Sequence, residues 1–215
     1  GVFIGSNLVE ALLRQGEFVR VLDNFSTGRR SNLAPFLKDI EVIEGDICSY
    51  HTVLKATRQV DYILHQAALP SVPRSLQDPL TTHQVNATGT LNLLYAAIDA
   101  RVKRFVYASS SSIYGDVEAP VKVETLPPQP KSPYAVSKLA GEYYCKVFHE
   151  NYRLDTVILR YFNVFGPRQN PDSEYAAVIP RFLKLMANDQ SPVIYGNGRQ
   201  TRDFTFVKNV VDANL

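Results

Sequence analysis

A doubly wound α/β fold on a parallel sheet is what this sequence predicts, and three observations carry the prediction. Short apolar runs recur along the chain, stretches with helical spacing of apolar residues separate them, and polar motifs follow the runs directly. Strands alternating with helices imply parallel βαβ units with right-handed crossovers. In open sheets of that kind, ligands bind outside the carboxyl ends of the strands, which is where the motifs fall.

The elements follow in order. After the opening GVFIG, the residues Leu8, Val9, Leu12 and Leu13 have helical spacing, and Gly16 ends the pattern. Residues 18–22 (FVRVL) read as a strand, residues 23–31 as a polar turn leading to a short helical piece, and residues 40–43 as a second strand. A helix is expected around 52–57, a third strand at 60–64, and a long helix over 82–99 with Val85, Leu91, Leu94 and Ala97 as its apolar positions. Residues 104–108 make a fourth strand. Residues 116–133 hold five of the 13 prolines and read as a loop. Helix resumes over 133–152, and 156–159 is a fifth strand. Beyond Phe162 the alternation weakens: 163–174 is loop-like, 175–186 helical, and 193–205 a mix of short strands and Gly turns. That shift divides the chain into units at 1–162 and 163–215. A glycine-bearing turn onto a helix normally follows a buried strand, and none precedes Gly1; the closing VVDANL reads as an interrupted helix. The chain is therefore expected to be a fragment, cut at both ends.

Composition bounds the function. Of the 215 residues, 45% are hydrophobic and 20% charged, which suits a soluble globular chain and excludes global disorder. The net charge of +2 comes from 23 Lys+Arg against 21 Asp+Glu, with no basic run longer than a pair such as Arg29-Arg30, so no nucleic-acid partner is expected. No apolar stretch approaches the roughly 18 residues of a membrane span. Cys48 and Cys145 are the only cysteines, which fits a reducing, cytoplasmic location. His51, His65, His83 and His149 lack metal-ligand spacing, and no metal is expected.

In the first half, Gly5 opens a helix and Asp23 ends the strand FVRVL. That spacing suits the acidic residue that hydrogen-bonds a dinucleotide ribose; a carboxylate there repels a 2′-phosphate and favours NAD over NADP. Alternatively, the pattern is a helix start and an exposed turn Asp. Asp46 follows the second strand and His65-Gln66-Ala67-Ala68 the third; the alanines permit close approach of a flat ligand, or simply tight strand-to-helix packing. Phe3-Ile4-Gly5 makes Gly5 the third glycine of a G-x-x-G-x-x-G turn and puts Val2 at the second. Either a β-branched side chain crowds the pyrophosphate there, or the opening of the chain departs from the true terminus.

In the second half, Ser132 is a natural N-cap and Pro133 a natural first helical residue. Tyr134 and Lys138 are then i and i+4, neighbours on one helix face. A phenol of pKa about 10 is no base at neutral pH, and bringing it there takes about 4 kcal/mol of differential stabilisation of the phenolate. A Lys ammonium, a helix N-terminus and a cationic nicotinamide ring together can supply that, so an acidified Tyr134 is expected. An isolated Y-x-x-x-K is common on protein surfaces. Here it is accompanied by Ser109 to Ser112 at the end of the fourth strand, where a hydroxyl can meet Tyr134 from the next βα unit. A Ser run is otherwise ordinary turn material.

The set FIGSNLVEALL, LDNFSTG, GDI, HQAA, YASSSSIYGD, SPYAVSK and RYFNVFGPRQ resembles the extended short-chain dehydrogenase/reductase family, and within it the NAD-dependent UDP-sugar 4-epimerases. The resemblance implies a Rossmann domain over 1–162 lacking its first strand, with 163–215 beginning a nucleotide-sugar-binding domain. It implies Tyr134 as catalytic base, Lys138 as its partner and nicotinamide-ribose ligand, and Ser110 as the catalytic hydroxyl assisted by Ser111 and Ser112. It implies NAD contacts from Phe3, Ile4, Gly5, Asp23, Asn24, Asp46, Ile47, Gln66, Ala67, Ala68 and Tyr161. UDP-sugar contacts are implied from Ser71, Arg74, Asn163, Ala177, Val178, Tyr195 and Arg202. The implied reaction inverts C4 of a UDP-hexose or UDP-N-acetylhexosamine through a transient 4-keto sugar, within nucleotide-sugar metabolism and polysaccharide biosynthesis, in a homodimer. The alternatives are another NAD-dependent nucleotide-sugar oxidoreductase, a UDP-sugar-acid epimerase, or an inactive nucleotide-binding homologue. The family's 4,6-dehydratases and decarboxylases carry an acidic residue just after the catalytic hydroxyl; here Ser111, Ser112 and Ile113 stand there.

Overall fold

The computed structural model describes residues 2–172, 178–194 and 196–215. Every described strand pair is parallel, as the alternation requires. Helix α1 (Val2–Arg14) buries Leu8 and Val9 and, with Leu12 and Leu13, covers Val19 and Val21 of β1 (Val19–Asp23) and Ile40 of β2 (Ile40–Glu44). Gly16, at φ +80°, turns the chain back sharply between α1 and β1. The register pairs Asp23 with Glu44, so the carboxyl ends of β1 and β2 are level.

A second sheet runs in the order β3 (Tyr62–His65), β4 (Arg104–Ser110) and β5 (Asp155–Tyr161). β4 is its centre, and Phe105 and Tyr107 are completely buried, as a strand covered on both faces demands. One apolar cluster joins Leu22 of β1 to Val53 of α2 (Tyr50–Thr57), to Phe105 and Tyr107 of β4, and to Cys145 and Phe148 of the long helix Pro133–Tyr152. β3 begins two residues later than its apolar run, because the Val60 amide is drawn to Thr57 O (3.4 Å) in the turn leaving α2.

The helix expected over 82–99 is longer and interrupted. Ser71 caps α3 (Val72–Gln77), accepting from Arg74 N at 3.1 Å, and Asp78 caps α4 (Pro79–His83), accepting from Thr81 N at 3.0 Å. A wide π turn, Gln84–Thr88, then leads into α5 (Gly89–Asp99). The buried Asn86 lies in that turn; it accepts from Leu69 N (2.8 Å) and donates to Leu69 O (3.3 Å) and Ser137 Oγ (3.1 Å). A side chain that must clamp a strand-end loop in this way favours a local widening of the helix, which no apolar periodicity announces.

After β4 comes a 3₁₀ turn, Ser111–Tyr114, and then α6 (Pro133–Tyr152), capped by Ser132, which accepts from Ala135 N at 3.1 Å. α6 lies close on β4 because Gly141 has no Cβ: one added there would collide with the Tyr107 hydroxyl and Cζ and come within 2.9 Å of Cε1.

Beyond β5, β6 (Asn163–Phe165) pairs with β7 (Phe204–Phe206), with α7 (Val178–Ala187) between them. The stretch 163–174, expected as loop, therefore opens with a strand. Within 193–205, strand is described only at 204–205 and runs on to 206. Three-residue strands paired across 41 positions are too short to show a period. Of the helix expected at 175–186, residues 175–177 lie outside the described residues, and α7 runs one residue past the remainder. The final helix α8 (Val207–Asn214) buries Val207, Val210 and Val211 and packs back on α1, so the chain end returns to the first unit.

Candidate active site

The catalytic candidates meet at the carboxyl end of β4. Ser110 is the last residue of that strand, and its backbone is extended (φ −148°, ψ 143°) where the chain enters the 3₁₀ turn. Its Oγ accepts from Ser112 N at 3.2 Å, and its side chain lies near enough to the Tyr134 phenol to lower that group's pKa. The Ser132 cap and Pro133 set Tyr134 in the first turn of α6, and one turn on Lys138 is 3% exposed. Lys138 Nζ donates to Ala108 O at 2.7 Å and lies 4.9 Å from the Tyr107 ring centroid; the Tyr107 hydroxyl in turn donates to Lys138 O at 3.3 Å.

Burial raises the pKa of Tyr134 above the ordinary phenol value, while the neighbouring Ser110 hydroxyl pulls it down. Burial also lowers Lys138 to about 8. The ammonium is spent on a backbone carbonyl and is itself disfavoured by burial, so the pair alone does not acidify the phenol. His65, buried and 2.9 Å from Thr90 Oγ1 through Nε2, is held neutral by burial and by the neighbouring Lys138 charge.

The nucleotide-side candidates separate into two groups. At the ends of β1 and β2, Asp23 accepts from Phe25 N (2.7 Å), and Asn24 Nδ2 donates to Asp46 Oδ2 (2.8 Å). Burial pushes the Asp46 carboxyl up, but hydrogen bonds from Cys48 and Asn24 outweigh it and hold the group below its usual value. At the ends of β3 and β5, Tyr161 donates to Gln66 Oε1 (3.3 Å). Asn214 of α8 closes a ring, donating to the Tyr161 hydroxyl (2.7 Å) and accepting from Gln66 Nε2 (3.0 Å). Ala67 and Ala68 are partly exposed beside it. Phe3, Ile4 and Gly5 fall inside α1, and a Cβ built on Gly5 meets nothing within 4 Å among the described residues. The side chain of Val2 lies outside the described residues. Ile47 has its side chain in the core, and its carbonyl accepts from Asn92 Nδ2 at 2.9 Å.

The sugar-side candidates are dispersed. Ser71 is occupied as a helix cap, and Arg74 is exposed. Asn163 Nδ2 donates to Asp203 O (3.1 Å), and Arg202 Nη1 to its neighbour Thr201 O (2.8 Å). Val178 begins α7 and is exposed; Ala177 and Tyr195 lie outside the described residues. Ser111 and Ser112 follow Ser110 in the 3₁₀ turn. Ser112 Oγ is buried without a hydrogen-bond partner, a polar atom of the kind a bound ligand satisfies. That orphan, the Asp23–Asn24–Asp46 cluster and the buried Lys138 fit a dinucleotide laid along the strand ends. Asn214, Glu142 and Arg160 were not legible as site residues; only the i+4 spacing of Glu142 from Lys138 hinted at one of them. Among the described residues, no group of three or more His, Cys, Asp or Glu is placed to hold a metal, and no helix is long and apolar enough to cross a membrane.

A family model for NAD dependent epimerases and dehydratases matches residues 1–215. The chain belongs to that family. Its likeness within the family is to UDP-sugar 4-epimerases of the extended short-chain dehydrogenase/reductase type. A UDP-N-acetylglucosamine 4-epimerase from Methanobrevibacter ruminantium, solved in complex with UDP-N-acetylmuramic acid, is 44% identical with a TM-score of 0.93, covering 99% of this chain and 68% of that one. The UDP-glucose 4-epimerase of Mycolicibacterium smegmatis is 41% identical over 215 residues, 98% of this chain and 68% of the relative. A UDP-glucose 4-epimerase from Thermus thermophilus, solved with NAD, is 40% identical with a TM-score of 0.90, covering 98% of this chain and 70% of that one. The parallel Rossmann-like architecture is thus the family's own.

Proposed function

We propose that this protein binds NAD along the carboxyl ends of its strands and inverts C4 of a UDP-hexose or UDP-N-acetylhexosamine through a transient 4-keto sugar. The observation that carries this reading is the Ser110 hydroxyl at the end of β4 beside the Tyr134 phenol and the buried Lys138 of α6, in a chain of this family. Asp23 and Asn24 would hold the adenine ribose, Asp46 the adenine side, Ala67 and Ala68 the diphosphate and nicotinamide side, and Lys138 the nicotinamide ribose. When bound, NAD supplies a cationic ring that lowers the Tyr134 pKa and exchanges hydride with sugar C4. Tyr134 removes and returns the proton of the sugar 4-hydroxyl, and Ser110 relays it and orients the oxygen. Ser111, Ser112 and Ile113 offer no acid after Ser110, which favours epimerisation over water elimination or decarboxylation. Residues 1–162 would form the nucleotide-binding unit and 163–215 the start of the sugar-binding unit, with α8 returning to the first.

The test is a panel of UDP-sugars offered to the full-length protein without added NAD, products being separated by chromatography. An epimerase converts substrate over many turnovers; a net dehydrogenase stops after one. Tyr134→Phe should abolish conversion and leave bound nucleotide in place, and near-normal turnover in that variant would falsify the assignment. Homodimeric assembly in a reducing, cytoplasmic setting belongs to the same proposal. Val136, Tyr143 and Val147 are exposed apolar residues at helical spacing on α6, and both cysteines are free. Sedimentation of the full-length protein checks the assembly.

A further inference from the structure

Behind the catalytic residues lies an ion pair that proton transfer does not itself require. Glu142, 2% exposed, takes a two-pronged contact from Arg160 of β5: Nε to Oε1 at 3.0 Å and Nη2 to Oε2 at 2.8 Å. Glu142 Oε1 also accepts from Ser109 Oγ at 2.5 Å. The third guanidinium nitrogen, Nη1, donates to the Tyr114 hydroxyl (2.9 Å) and to Glu124 O (3.2 Å). Taking two charges out of water costs several kcal/mol per ion, and an apolar pair of similar volume is often as stable, so stability alone does not account for the arrangement.

Its place in the fold does. Ser109, which precedes Ser110, is bonded to the carboxylate, and Tyr114, which ends the 3₁₀ turn that follows, to the guanidinium, so one ion pair ties down both sides of the segment carrying the catalytic hydroxyl. Glu142 lies one turn beyond Lys138 and two beyond Tyr134 on α6, so the same pair fixes the helix that carries the other two groups. The apolar contact of α6 with β4 at Gly141 and Tyr107 is not directional, and the other directional bonds between the two elements, Lys138 Nζ to Ala108 O and the Tyr107 hydroxyl to Lys138 O, both fall at Lys138. A bidentate carboxylate–guanidinium pair has one preferred geometry. We propose that Glu142 and Arg160, with Ser109 and Tyr114, are positioning residues that set the Ser110 hydroxyl against the Tyr134 phenol. The proposal rests on the epimerase reading for its rate consequence but not for its geometric one.

The experiment uses the full-length protein with its nucleotide and two readouts. The first is kcat and KM for a UDP-sugar it converts, across pH. The second needs no turnover: ionisation of Tyr134, taken as the ultraviolet difference titration between each variant and the same variant carrying Tyr134→Phe. Glu142→Gln should lower kcat by about ten- to a hundredfold, the scale on which small misplacements of reacting groups act. KM and nucleotide content should stay near the parent's, and the Tyr134 titration midpoint should move. Ser109→Ala and Tyr114→Phe each remove one tether and should do the same to a smaller degree, which keeps the test open if Glu142→Gln fails to fold. Arg160→Lys, which keeps the charge and loses the fork, should not restore the parent profile. Asp155→Asn, which removes the exposed pair with Arg104 on the neighbouring strand, should match the parent. Folded Ser109→Ala and Tyr114→Phe proteins with the parent's kcat, pH profile and titration midpoint would overturn the proposal. If instead the parent converts no UDP-sugar, the epimerase reading fails, and the titration alone decides the positioning role.

Discussion

At the scale of single residues, the phenol of Tyr134 is poised but not yet acidic. Burial raises its pKa, and the Ser110 hydroxyl is the one named group that opposes the rise. Ser110→Ala should therefore move the pH at which activity switches on to higher values and reduce turnover by about a hundredfold, the usual worth of a group in proton transfer. A pH–rate profile checks both parts; a change in KM alone would make Ser110 a binding residue only. The spacing of Tyr134 and Lys138 was readable because i,i+4 proximity on a helix is a local property. What Lys138 bonds to was not readable, because Ala108 O lies on another element, 30 positions away.

At the scale of elements, helix α6 carries two of the three catalytic candidates, and its seat depends on two small features. Ser132 satisfies a free amide of the first turn, so Ser132→Ala should cost about 1 kcal/mol of stability, read as a drop in the urea midpoint. Gly141 lies against the Tyr107 ring, so Gly141→Ala should cost about 1–3 kcal/mol through overpacking and should also lower kcat, because a displaced α6 takes Tyr134 and Lys138 with it. An unchanged melting temperature in Gly141→Ala would mean that the helix and ring relax apart freely. The boundaries of α6 were legible from Ser132, Pro133 and the apolar pattern. The π turn at 84–88 was not, since its cause is the tether between Asn86 and Leu69.

At the scale of the whole molecule, burial lowers the pKa of two bases, His65 and Lys138, below their ordinary values. The folded-state pKa of His65 lies well below 6.5, so as pH falls below that value the unfolded chain takes up a proton that the native state refuses. Stability should then fall with pH, by at most about 1.4 kcal/mol per pH unit for one proton. Lys138 has the same sign in a higher window: from its folded value of about 8 to the reference 10.5, stability should rise with pH. Urea midpoints at about pH 5.5, 7 and 9.5 measure both slopes, and His65→Gln should flatten the acid limb alone. The buried Thr90 hydroxyl beside Nε2 offers no charge to pair with an imidazolium, consistent with a neutral ring.

By itself the sequence determined the main alternation of strands and helices, the parallel sheet and the i,i+4 spacing of Tyr134 and Lys138, because helical period, strand runs and capping are written in neighbouring residues. Tertiary structure alone decided which distant groups meet: Gln66 with Asn214 across 148 positions, Ser109 with Glu142 across 33, and Arg160 with Tyr114 across 46. It also decided how deeply the phenol and its lysine neighbour are buried, since desolvation depends on what the fold packs around a group and not on its position in the chain.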